Sequence, residues 1–177
     1  MSGKAKENKK MNLKIVIAIV AVLLVIVIGA LIAYNMFGSQ ANPQNTLEGY
    51  FTALYSETRI RNMQPYLVDD IRQMCYDDFT FYGTSIGILQ ACQQEKMAAV
   101  GGEFTLSVKV DKETSGSSTA LKAARKSYGA SALVDVDFTA TFKGPDGSAD
   151  FTGIARLVKI SGKWYLTEYN LPLTEKK

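Results

Sequence analysis

An α+β domain behind a single membrane-spanning helix is the fold class this chain predicts, on three observations. Ile15 to Ala33 is an unbroken apolar run with five lysines before it, namely Lys4, Lys6, Lys9, Lys10 and Lys14. From residue 44 to about 100 apolar residues recur at spacings of three and four, the period of a helix face. From Phe104 onward the period changes to two, the alternation of half-buried strands. The expected fold is an N-terminal transmembrane helix, then three helices packed on a curved antiparallel sheet of about four strands.

The run from Ile15 to Ala33 is nineteen residues long. At about 1.5 Å per residue it covers roughly 28 Å, and its extension through Phe37 reaches roughly 34 Å, against a hydrocarbon core of about 30 Å. Eleven of the nineteen are Ile or Val, which in water favour strands. In lipid every backbone polar group must bond within the segment, so a lone span is helical. Lysine and arginine then vanish until Arg59, which places the amino end in the cytoplasm and residues 38–177 outside. The organisation expected is a basic tail over 1–14, a span over 15–37, a linker over 38–43, an outer domain over 44–172 and a tail over 173–177. Cleavage after Ala41 is the competing reading, because Ser39-Gln40-Ala41 places small residues where a signal peptidase inspects them. The apolar run exceeds the roughly 7–15 residues of a secretory core, which favours a retained anchor. Gly29 and Ala33 share one helix face at a small-xxx-small spacing, open either to self-association or to lipid.

Charge is divided along the chain. Residues 1–37 carry plus four and residues 38–177 minus one, summing to the plus three of the whole. The basic isoelectric point therefore belongs to the tail, and nothing here points to a nucleic-acid partner. With no histidine in the chain, imidazole bases, the usual serine triad and histidine metal ligands are excluded. No phosphate loop or dinucleotide fingerprint occurs. Neither catalytic residues, a metal set nor a cofactor is predicted. Cys75 and Cys92 are candidates for a disulfide worth about 3 kcal/mol if unstrained, with two buried thiols as the alternative.

In the outer domain a helix should start at Asn45, where Asn45 and Glu48 have capping-box spacing, and bury Leu47, Tyr50, Phe51, Leu54 and Tyr55. A second helix after Pro65 should carry Tyr66, Leu67, Ile71, Met74 and Cys75. A third, capped by Thr84 or Ser85, should hold Ile86, Leu89, Met97 and Val100 and stop at Gly101-Gly102. Strands follow: Phe104 to Val110, Val134 to Phe142, Ala149 to Ile160 and Trp164 to Asn170, with turns at Gly144-Pro145-Asp146-Gly147 and Ser161-Gly162-Lys163. Leu121 to Tyr128 is a helical turn stopped by Gly129. Asp135 and Asp137 alternate with Val134, Val136 and Phe138, so they point to water. Asp69-Asp70 and Asp77-Asp78 flank helices. Trp164, Tyr165 and Tyr169 are candidate ligand-facing aromatics, with the core as their alternative place.

Three helices and then an antiparallel meander, closing in Leu157-Val158-Lys159-Ile160-Ser161-Gly162-Lys163-Trp164-Tyr165-Leu166, resembles the nuclear transport factor 2-like, cystatin-like α+β superfamily over roughly residues 44–172. It is similar to members anchored outside bacterial cells. The resemblance implies a curved sheet wrapped around a helix, with a pocket between them that some relatives use for catalysis and others for protein contacts. Ketosteroid-isomerase-like relatives place an acidic base and hydroxyl donors there. The one-span arrangement is also similar to the inner-membrane scaffold subunit of type IV secretion and conjugation machines. The function expected is therefore a membrane-anchored, extracytoplasmic binding or scaffolding domain without catalysis, its partners the lipid bilayer through 15–37 and a protein partner or second copy. The alternative is a small-ligand-binding or isomerase- or hydrolase-like enzyme using the pocket between sheet and helices.

Overall fold

The computed structural model describes residues 38–81 and 85–176, with the side chains of 78–81 and 85–88 left aside. The span expected over 15–37 and the cap expected at Thr84 lie outside the described residues. Among the described residues no helix is long and apolar enough to cross a membrane. Over the described residues the fold is α+β, with five α-helices and a curved antiparallel sheet of four main strands plus one short one.

Helix α1 is Pro43–Phe51. Its cap is Asn42, whose side-chain oxygen accepts from the Asn45 N–H at 2.8 Å, so the helix begins before the expected Asn45. Proline explains the shift, since Pro43 has its φ set for a first turn and no N–H to satisfy. Asn45 instead donates its side-chain amide to Gly38 O at 2.8 Å. The chain continues as a π turn, Thr52–Glu57, ended by Thr58 in the left-handed region at φ 49°. Helix α2, Ile60–Met63, and a 3-10 turn, Gln64–Tyr66, follow.

The expected second helix thus starts later than its apolar spacing implied. Leu67 is extended and pairs with Leu166, and α3 is Asp69–Phe81. Its Cys75 is buried but its Met74 is 53% exposed, a correction to the predicted core face. Helix α4 is Ser85–Val100. Leu89 and Val100 are buried as expected. Lys96 is buried too, while its neighbour Met97 is only half-buried.

Strand β1, Thr105–Ser115, is joined to β2, Ala132–Gly144, through α5, Ser118–Tyr128. The hairpin partner β3 is Gly147–Ile160, and β4 is Lys163–Leu166. The order is β1-β2-β3-β4, with β5, Thr174–Glu175, pairing with β3 at Phe151 and Thr152. A register shift between Val110 and Lys112 leaves Asp111 as the extra residue of a bulge, which bends an edge strand and blunts its pairing edge. Ser161 and Gly162 both have positive φ, as a two-residue hairpin turn of the right twist requires. β4 stops at Leu166, short of the predicted Asn170: Thr167 N–H still donates to Arg156 O at 3.1 Å, but the chain then leaves the sheet and returns only as β5.

Alternation along the strands gives the sheet two faces. The inner face presents Val134, Val136, Phe138, Ala140 and Phe142 from β2 and Phe151, Ala155 and Leu157 from β3, packed with Leu47, Tyr50, Phe51, Tyr55 and Met63 from the helical layer. The rings interlock, Phe51 with Phe138 at 5.3 Å and Tyr55 with Phe142 at 5.2 Å between centroids. A smaller cluster of Val68, Ala124, Ala130, Leu133 and Val158 lies where α5 covers one end of the outer face. The segment 38–43, expected as a linker, is folded against the domain: Gln40 is 6% exposed and Pro43 is buried.

Candidate functional site

Where the resemblance implies a pocket, the described side chains at the centre of the space between sheet and helices are packed together. Tyr50, Phe51, Phe138, Phe142, Leu157 and Leu166 are all at most 1% exposed. Two tyrosine hydroxyls enter this core. Tyr50 donates to the carbonyl of Tyr169, and burial is the first cause that pushes the hydroxyl pKa of both Tyr50 and Tyr55 upward. They are neutral hydrogen-bonding groups rather than bases. Among the described residues every buried side-chain nitrogen and oxygen has a hydrogen-bond partner.

Lys96 is the one charged side chain of the described residues that is fully enclosed. Its Nζ donates to Glu95 Oε1 at 2.7 Å and stands 3.9 Å from the centroid of the Phe151 ring. The ring face attracts the cation, and the exposed Glu95 carboxylate balances it. Nothing in Gln93-Gln94-Glu95-Lys96-Met97 distinguishes this lysine from a solvated one, and sequence reasoning missed it.

The open feature with mixed chemistry is a cleft of about 420 Å³ between the start of α3, the end of α5 and β4. Val68, Ile160 and Tyr165 supply its apolar wall, and Asp70, Tyr128 and Arg72 its polar one. The acids sit in the first turn of α3, where the positive end of the helix dipole favours them. Arg72 is already spent: it donates to Gln64 O at 3.0 Å and Leu67 O at 3.1 Å and pairs with Asp69 at 3.2 Å. Burial and then the Asp70 charge push the Tyr128 hydroxyl pKa upward, which keeps it a donor. With its cation engaged, the cleft offers a carboxylate and hydroxyls, a surface suited to a donor or a cation better than to an anion.

The three predicted aromatics do not converge. Trp164 lies on the inner face at 9% exposure, with Lys159 Nζ 5.7 Å from its ring. Tyr165, one residue on, therefore lies on the outer face and lines the cleft. Tyr169 lies beyond β4, packs half-buried against the core and offers its carbonyl to Tyr50.

Cys75 and Cys92 stand as thiols on α3 and α4, the first buried and the second half-buried, in one core cluster. Burial, then the Glu95 charge, pushes the Cys92 thiol pKa up. Asp135 is on the outer face, held by both nitrogens of an Arg156 fork at 2.7 and 3.0 Å. Asp137 lies on the same face beside Asp111 and Ile154, in a second open cleft. Asp77 accepts from Gln73 at 2.8 Å. Among the described residues no three acidic, cysteine or histidine side chains gather as metal ligands would. No family model, curated protein or solved structure matches the chain.

Proposed function

We propose that this chain is a single-pass membrane protein, amino end cytoplasmic, presenting a non-catalytic binding or scaffolding domain of the nuclear transport factor 2-like kind outside the cell membrane, as a subunit of an envelope assembly. The apolar run from Ile15 to Phe37 and the five lysines before it support the anchor. One observation supports binding over catalysis: among the described residues Tyr50, Phe51, Phe138 and Phe142 pack the centre between sheet and helices and no acid is buried with them, whereas a catalytic pocket needs a polar group converging on an apolar enclosure. What the domain offers a partner lies outside, in the cleft of Tyr128, Tyr165 and Asp70.

Crosslinking of the full chain in its native membrane, followed by purification and mass spectrometry, tests this. The reading expects a reproducible protein partner or a second copy, with crosslinks that reach the α3, α5 and β4 surface and are lost in Tyr165→Arg. The cleft also favours a second reading, a small cationic or hydrogen-bond-donating ligand. A chain that stays alone under crosslinking, yet gains thermal stability from such compounds and loses that gain in Asp70→Asn, would replace the first reading with the second.

A further inference from the structure

The five residues after the apolar run behave as part of the fold. Gln40 is 6% exposed. Its side-chain amide donates to Pro65 O at 2.9 Å and to Trp164 O at 3.0 Å, and its own carbonyl accepts the Trp164 N–H at 3.0 Å. One residue thereby serves both backbone groups of Trp164 along the free edge of β4 and ties that strand to the 3-10 turn. Gly38 O accepts from Asn45 and from the Ala41 N–H. Asn42 caps α1, and its carbonyl takes the hydroxyl of Thr46, which is itself fully buried.

We propose that Gly38–Asn42 is a permanent structural element of the outer domain, so that the chain is not processed at Ser39-Gln40-Ala41. Processing after Ala41 would discard Gln40. It would leave the N–H and C=O of the buried Trp164 without these partners, which is unfavourable for each group, and would untie the Pro65 carbonyl. It would also create a new ammonium on Asn42, at the N-cap of α1, where the positive end of the helix dipole repels it. Segments removed by a signal peptidase have no role in the mature fold, whereas this one closes a sheet edge.

This deepens the proposed membrane anchoring and rests on it, and the two are separable by experiment. The full chain, expressed in a bacterial host, is recovered from both membrane and soluble fractions and its amino terminus determined by intact mass and terminal sequencing. The expected result is a membrane-bound chain that retains Gly38 to Ala41. A mature terminus at Asn42 overturns the proposal. A chain that keeps Gly38 to Ala41 but is found in the soluble fraction upholds it and overturns the membrane anchor instead. Gln40→Glu, in the full chain in detergent, keeps the side-chain shape but turns a donor between two carbonyls into an acceptor. Its melting midpoint is expected to fall by about 3–8 °C, and an unchanged midpoint also overturns the proposal.

Discussion

The two faces of the β2–β3 hairpin share one backbone and one register, yet they are built for different ends. On the inner face Phe138 meets Phe51, and Phe142 meets Tyr55, Phe104 and Phe151, with ring centroids 5.1–5.4 Å apart. On the outer face the same strands place Asp135 opposite Arg156 and Thr141 opposite Asp150, and these pairs bond directly at 2.7 Å in each case. Apolar burial contributes roughly 25 cal/mol per Å², whereas exposed ion pairs contribute about 0–1 kcal/mol. Away from the end where α5 covers Leu133 and Val158, stability therefore resides on the inner face. The other can change its side chains at little cost, a property useful for meeting a partner.

The largest break in this contrast is expected from Phe138→Ala, which opens a cavity at the centre of the aromatic cluster and should lower stability by about 3–5 kcal/mol in denaturant unfolding. A loss below about 1 kcal/mol would mean that the inner face is not the core. Gly153→Ala comes next. A Cβ there meets the Phe138 ring at 2.6 Å and Pro172 O at 3.1 Å, so a loss of about 1–3 kcal/mol is expected in the same assay.

Lys96→Met sharpens the contrast by removing the buried charge from the inner face. Replacing a buried charge by an apolar side chain of similar length is often neutral or stabilising, so the unfolding midpoint should hold or rise. A marked fall would show that the Phe151 contact outweighs desolvation of the cation. On the outer face, Asp135→Asn should shift stability by less than about 1 kcal/mol, and by less still at high salt.

The smallest effect concerns Asp111. The Thr139 hydroxyl, at 2.5 Å, and then Lys109 hold its carboxyl below the usual range. A depressed carboxyl stabilises the fold above its unfolded pKa and loses that contribution as pH falls through the folded value. Thr139→Val should therefore raise the Asp111 pKa in an NMR titration and narrow the acid-induced loss of stability. No change in the titration would exclude the hydroxyl as its cause.

Much of the sheet was legible in advance because a strand declares its two faces locally. Alternation from Val134 to Phe142 identifies the inner residues, and Gly144-Pro145-Asp146-Gly147 marks the turn. Gly129 marks the end of α5, but the helix begins at Ser118, three residues before the Leu121 that the sequence indicates, capped by Ser117. The helical layer was read less well. Spacing placed Met74 on a buried face, but α3 begins only at Asp69, after Leu67 has been drawn into pairing with Leu166. The apolar and aromatic run from Trp164 extends the expected strand to Tyr169 and Asn170, and nothing local says that pairing with β3 lapses after Thr167.

The candidate cleft was legible only through Tyr165. Its other members come from residues 68–72 and 127–128, brought together by the packing of α3 and α5 around the hairpin end. Gln40 had no signal beyond its neighbours' resemblance to a processing site, and Lys96 had none at all.

The sequence by itself determined the class of the molecule, the placing of its main strands, the two faces of its sheet and the absence of histidine chemistry. Each of these depends on side-chain type and on a period of two or about 3.6, which are properties of neighbouring residues. Tertiary structure alone decided that Tyr50, Phe51, Phe138 and Phe142 pack together between sheet and helices, that the last long strand ends at Leu166, and that Gln40 closes the edge of β4. Those outcomes depend on contacts between residues as far apart as 40 and 164. They are selected by the volume each ring must fill and by the partner each buried polar group must find.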